Sequence, residues 1–174
     1  MKKFFQFAIM AVAAVAMASC GNKSAQTTEG ADSTAAAPAV AAAESGATAE
    51  CDNFTLTVPA SLKYNANASS STTISLDAPD YGQFESVTIY LNKEETSAAK
   101  LLDQYFGDGA GKEKAADVTI GNQTFKQLYY VDSSDNNSDL FAEANGGVLV
   151  VSLSKNVPVN AEVLKPLLES IKFK

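Results

Sequence analysis

Two stretches of this chain are apolar on both faces of a strand, and that constrains its fold more than any other feature. Within 124–131, Phe125, Tyr129 and Val131 fall on one side while Leu128 and Tyr130 fall on the other. Val148 and Val150 alternate in the same way with Leu149 and Val151. Successive strand residues point to opposite faces, so such strands need apolar cover above and below and belong at the centre of a sheet. Asn145-Gly146-Gly147 separates Leu140–Ala144 from Val148–Leu153. Asn-Gly accepts positive φ at both turn positions, which predicts a β-hairpin there.

Further strands follow from period-two alternation. Phe54, Leu56 and Val58 alternate with Thr55 and Thr57 before Pro59, Ile74 and Leu76 alternate with Thr73, Ser75 and Asp77, and Val87, Ile89 and Leu91 alternate with Ser86, Thr88 and Tyr90. Val118 and Ile120 lead through a Gly121-Asn122 turn into the long run that ends at Val131. The period changes to 3.6 at Ala98, Leu101, Leu102, Tyr105 and Phe106, with Thr96 or Ser97 as cap and Gly107 as stop. This is one helix; Asp108 to Ala116 reads as a mobile loop after it. A second helix is expected from about Asn160, with Val163, Leu164, Leu167, Leu168 and Ile171 on one face. Pro166 either kinks it or lies in its first turn.

The N-terminal end carries a different signal. Lys2 and Lys3 precede a run of roughly 15 mostly apolar residues, Phe4 to Ala18, where a membrane-spanning helix needs about 20. Met17-Ala18-Ser19-Cys20 resembles a bacterial lipobox, with Met17 in place of the usual Leu, Val or Ile. The resemblance implies a signal peptide at 1–19, removed to leave Cys20 as a lipidated first residue with diacylglycerol and an amide-linked acyl chain such as palmitate. The alternative is an ordinary secretory signal cut after Ala16 or Ala18. From Gly21 to about Glu50 the chain is mostly Ala, Ser, Thr and Gly, with scattered Glu29, Asp32, Glu44 and Glu50, a single Val and no aromatic residue. It cannot bury enough apolar surface to offset chain entropy, so 20–50 is expected to be a disordered tether and 51–174 a single globular domain.

Composition removes whole classes of function. The formal net charge is -7, there is no His or Trp, and every basic residue is Lys. A surplus of acid disfavours nucleic acid, and without His there is no imidazole base or neutral metal ligand. The chain has two cysteines. With Cys20 lipidated, Cys51 is either a free thiol at the edge of the fold or a cross-link between two copies.

The element order, together with Phe54-Thr55-Leu56-Thr57-Val58-Pro59 at one end and Leu167-Leu168-Glu169-Ser170-Ile171-Lys172-Phe173 at the other, resembles the Mog1/PsbP-like fold over about residues 52–174. The expected class is therefore α+β: a mostly antiparallel sheet of about six to seven strands with one helix on each face, an α/β/α sandwich. Members of that fold include photosystem accessory proteins, a Ran-binding nuclear import factor and many bacterial lipoproteins, mostly binding or assembly modules. The resemblance implies such a role here; none of their functional residues matches a position in this chain.

Candidate chemistry is sparse. Asp132, Asp135 and Asp139 lie in a Ser/Asn-rich stretch offering hard oxygen ligands of the kind calcium takes, without EF-hand spacing. Gly107 to Glu113 lacks the length and the Ser or Thr of a phosphate loop and reads as a connector. Glu94 and Glu95 are adjacent and point apart, so they do not form an acid/base pair. No catalytic residue, cofactor or metal is called for. The expectation is a non-enzymatic, lipid-anchored envelope protein with a protein partner, held through Cys20 in the outer membrane on its periplasmic face or at the cell surface. Gly21 in place of a retaining Asp leans towards that membrane. The alternative is a carrier of a small ligand or calcium.

Overall fold

The computed structural model describes residues 46–174, so the signal segment, Cys20 and most of the tether lie outside the described residues. The strands are β1 (Thr48–Glu50), β2 (Phe54–Thr57), β3 (Lys63–Tyr64), β4 (Thr73–Asp77), β5 (Ser86–Asn92), β6 (Lys112–Ile120), β7 (Gln123–Tyr130), β8 (Asn136–Ala144), β9 (Gly147–Ser154) and β10 (Lys172–Phe173). Helix α1 (Ala98–Phe106) follows β5 and helix α2 (Leu164–Glu169) follows β9. The described chain is thus α+β and mostly antiparallel, with a seven-stranded sheet in the order β3-β4-β5-β9-β8-β7-β6 and a three-stranded sheet in the order β1-β2-β10.

The doubly apolar strands lie inside the large sheet, as their pattern requires. Leu149, Val151 and Leu153 of β9 join one buried cluster with Val87, Ile89, Phe125 and Leu140, whereas Val148 and Val150 join another with Leu128 and Phe141. Ala98, Leu101 and Leu102 of α1 belong to the second cluster, and Leu164, Leu167 and Leu168 of α2 to the first. At about 25 cal/mol per Å² of apolar surface removed from water, burial of these side chains is the main favourable contribution to the fold.

Local signals account for the element ends. The Ser97 side chain accepts from the Lys100 N–H at the start of α1, and the Gly107 N–H returns to the Asp103 carbonyl at its end. Just before the helix, the Glu95 carboxylate accepts the Thr96 and Ser97 N–H groups, and these bonds hold it below its ordinary pKa. At the β8–β9 turn Asn145 has φ 46° and Gly146 φ 73°, the paired positive values of a two-residue hairpin.

Several expectations are corrected. The main sheet has the seven strands expected, but β1, β2 and β10 form a second sheet that was not. Thr48–Glu50, assigned above to the tether, is a strand: it pairs with β2 and places Ala49 at 0% exposure opposite Leu56. One small apolar residue in an Ala-rich stretch gives no period to read. Lys112 to Ala116, expected in a mobile loop, belongs to β6, an edge strand whose exposed residues show no alternation and which is held by its backbone ladder to β7. Helix α2 starts at Leu164, later than Asn160, so Pro166 falls in the first turn, where a missing N–H loses no helical bond. Cys51 is a free thiol only 4% exposed, inside the core and not at its edge.

Candidate functional site

The clearest concavity is a cleft of about 500 Å³ where the β6–β7 hairpin, the end of α2 and β10 meet. Phe125 and Leu149 are buried against its floor, and Ile120, Leu168, Ile171 and Phe173 add further apolar wall. Asn122 and Gln123 supply amides, and Glu169 is the one ionisable side chain that lines it. The cleft falls within the roughly 300–1,000 Å³ typical of small-molecule sites, and its balance of apolar wall and few polar groups is of the same kind.

Its walls are set by contacts between distant segments. Gly121, in the hairpin turn at φ 61°, faces the Glu169 side chain: a Cβ there would lie 2.6 Å from Oε1, so the carboxylate would have to turn aside. The Ser170 hydroxyl accepts the Thr57 N–H at 2.9 Å and donates to the Leu167 carbonyl at 2.7 Å, tying the end of α2 to β2. Phe173 then packs edge-on against Phe54, ring centroids 6.3 Å apart. Lys174 Nζ donates to Glu50 Oε1 and to the Cys51 carbonyl, both at 2.6 Å, which clamps the C-terminal strand.

A second cluster lies around α1. The Tyr90 and Tyr105 hydroxyls are hydrogen-bonded to each other, and Tyr130 donates to Asp139 Oδ2 at 2.5 Å. Burial pushes the Tyr90 phenol well above its ordinary pKa, with the Tyr105 hydrogen bond adding to it. Burial and the Asp139 hydrogen bond do the same for Tyr130. Both phenols therefore remain protonated at neutral pH and do not act as bases, and Tyr130 is the donor to Asp139.

The sequence candidates are scattered. Asp132 sits in a turn with φ 54°, the Asp135 N–H donates to the Ser133 hydroxyl, and Asp139 is buried within β8. Among the described residues no three acidic or Cys side chains gather to hold a metal ion. Cys20 lies outside the described residues. The Gly107–Glu113 stretch ends α1 and begins β6, with Lys112 Nζ donating to the Tyr105 carbonyl at 2.6 Å. Sequence reasoning missed both the cleft and the tyrosine cluster. The one legible hint was Asp139 itself, a carboxylate beside the apolar run Leu140-Phe141-Ala142 that needs a partner once buried. Compared with known proteins, the chain matches no family model and no curated protein.

Proposed function

We propose that this chain is a lipid-anchored, non-catalytic binding or assembly module of the bacterial envelope. Cys20 carries the anchor and sits in the outer membrane, and the cleft beside α2 receives the partner. The observation that supports a binding role is the lining of that cleft: apolar wall, two amides and a single carboxylate. The lining holds no pair of carboxylates of the kind that flank the bond in glycoside hydrolysis. The finer architecture, a Mog1/PsbP-like α/β/α sandwich with one helix on each face, belongs to the same proposal. Its support is the membership of α1 and α2 in separate buried clusters.

Two measurements test this reading. Mass spectrometry of the mature N-terminus should find a diacylglycerol thioether on Cys20; an unmodified Ser19 or Cys20 terminus overturns the anchor. Affinity capture from detergent-solubilised envelopes should recover a reproducible partner that is lost when Ile171→Trp fills the cleft, and equal capture by both forms overturns the role of the cleft.

The second reading, a carrier of a small ligand, is favoured by the cleft volume of about 500 Å³. Calcium at Asp132, Asp135 and Asp139 is the other version of it, and a calcium titration without a thermal shift tells against that version.

A further inference from the structure

A trough of about 340 Å³, away from the cleft, carries a different chemistry. Its floor is formed by β5 and β9, where Ser86, Thr88, Ser152 and Ser154 all line it, with Thr88 directly opposite Ser152 in the strand register. These residues share the sheet side of Tyr90 and Val150, by strand alternation. Helix α1 packs on β6, β7 and β8, and the hydroxyl-bearing positions lie on the strands beyond.

Phe84 stands at the rim of this trough, 86% exposed. A single exposed apolar residue needs no explanation in general. This one is held in place. The neighbouring Glu85 carboxylate accepts the Ser154 hydroxyl at 2.5 Å, the Asn156 N–H at 3.0 Å and Asn156 Nδ2 at 2.7 Å. The Glu85 backbone is bonded as well, its carbonyl to Ala78 and its N–H to Gly82. Burial alone pushes the Glu85 carboxyl up, but the hydrogen bonds outweigh it and hold the group below its ordinary pKa. An aromatic ring is thus presented to solvent from a pinned segment, beside a floor of hydroxyls.

The opposite rim is the Ser134-Asp135-Asn136 segment. Asn136 also lines a second depression, of about 240 Å³, bordered by Tyr129. Phe84 and Tyr129 are two of the three exposed large hydrophobic residues among the described residues. Tyr129 pairs with Ser138, and Ser138 with Leu153, on the other side of the sheet, so of the two it is Phe84 that stands by the hydroxyl floor.

The lining selects against several ligand classes. The Ser154 hydroxyl is held by Glu85 and that of Thr88 by Ser75, so Ser86 and Ser152 are the floor hydroxyls on offer; an apolar ligand would strand those two, and an anion would meet Asp135 and Glu85. Glu85 already accepts three hydrogen bonds, and no three-ligand metal cluster forms among the described residues. A pyranose suits both parts of the lining: its ring hydroxyls pair with hydroxyl and amide side chains, and its C–H face lies on an aromatic ring. We propose that the trough binds a neutral oligosaccharide, one pyranose against Phe84 and the next units running along the hydroxyl floor towards Asn136. This site is independent of the cleft beside α2.

The test is calorimetric titration of the full-length mature protein in detergent with three probes, maltohexaose, cellohexaose and a hexamer of N-acetylglucosamine. At least one should bind saturably. Affinity should fall about tenfold or more in Phe84→Ala and return in Phe84→Tyr. Because Phe84 is exposed, Phe84→Ala should unfold at the wild-type temperature, which separates lost binding from lost fold. The proposal is overturned if none of the probes binds at about 10 mM, a concentration that would reveal even millimolar affinity. It is equally overturned if Phe84→Ala binds as tightly as the wild type, or if Phe84 proves to hold a protein partner with no saccharide present.

Discussion

The Tyr130 phenol donates a 2.5 Å hydrogen bond to Oδ2 of Asp139, a residue only 6% exposed. Leu128 is the direct cross-strand neighbour of Asp139, so Tyr130 reaches it diagonally from two residues along β7. Removing the hydroxyl in Tyr130→Phe leaves a largely buried carboxylate oxygen without this donor, which costs about 1–3 kcal/mol. Asp139→Asn keeps an acceptor oxygen for the phenol and should lose less. Urea unfolding midpoints of the two variants check the order; equal stability of Tyr130→Phe and wild type would show that the bond contributes nothing.

The same cluster sets an alkaline limit. Tyr90 and Tyr130 have folded pKa values raised above the ordinary phenol value of about 10. Above that pH the unfolded chain releases these protons while the folded chain retains them, so the unfolded state binds fewer protons and stability falls as pH rises. Their contribution is fully present below about pH 10 and is lost above it. Of the six tyrosines, these two should resist ionisation until the fold opens, as followed by phenolate absorbance. The Tyr90→Phe/Tyr130→Phe double variant should lose less stability than wild type between about pH 8 and about pH 11.

What could be read from the sequence was what local physics decides. Helix α1 was legible because Ser97 and Gly107 bracket a 3.6-residue period, and the β8–β9 hairpin because Asn145 and Gly146 take positive φ. Strand β6 was not, since an exposed edge strand carries Lys, Glu and Asp on both faces and is defined by its partner's backbone. Strands β1 and β10, of three and two residues, exist only because β2 lies between them. Asn136 to Asp139, polar residues with no apolar alternation ahead of Leu140, nevertheless belong to β8, with a register shift between Asn136 and Ser138. The cleft was invisible for a different reason: the Gly121-Asn122 turn was legible, but that Glu169 lies against it is decided by the tertiary fold alone.

Cys51 yields a thiol count. It is 4% exposed and its N–H donates to the Phe54 carbonyl at 3.0 Å, so the sulfur is held within the core. A buried thiol neither reacts quickly nor reaches a second copy to form a disulfide. If Cys20 is a thioether, native protein should show no reactive thiol and denatured protein one, by reaction with Ellman's reagent. Non-reducing electrophoresis should show no cross-linked dimer. Cys51→Ala should cost about 1–2 kcal/mol through the cavity it leaves.

Adjacent glycines in the β8–β9 turn should respond unequally to the same substitution. At Gly146 a Cβ would meet nothing within 4 Å, and the only penalty is a left-handed φ of 73°. That penalty is about 1–2 kcal/mol for an L-residue. At Gly147 a Cβ would lie 2.3 Å from the Asn92 carbonyl oxygen and 3.2 Å from its carbon, which are backbone atoms at the end of β5. A backbone neighbour cannot rotate away as a side chain can, so relief requires β9 to move from β5 where Asn92 pairs with Val148. That shift disturbs the central pair of the large sheet and should cost about 3 kcal/mol or more. Urea unfolding of Gly146→Ala and Gly147→Ala measures both; equal losses would mean that the turn's conformation, and not the approach of β9 to β5, is what demands glycine here.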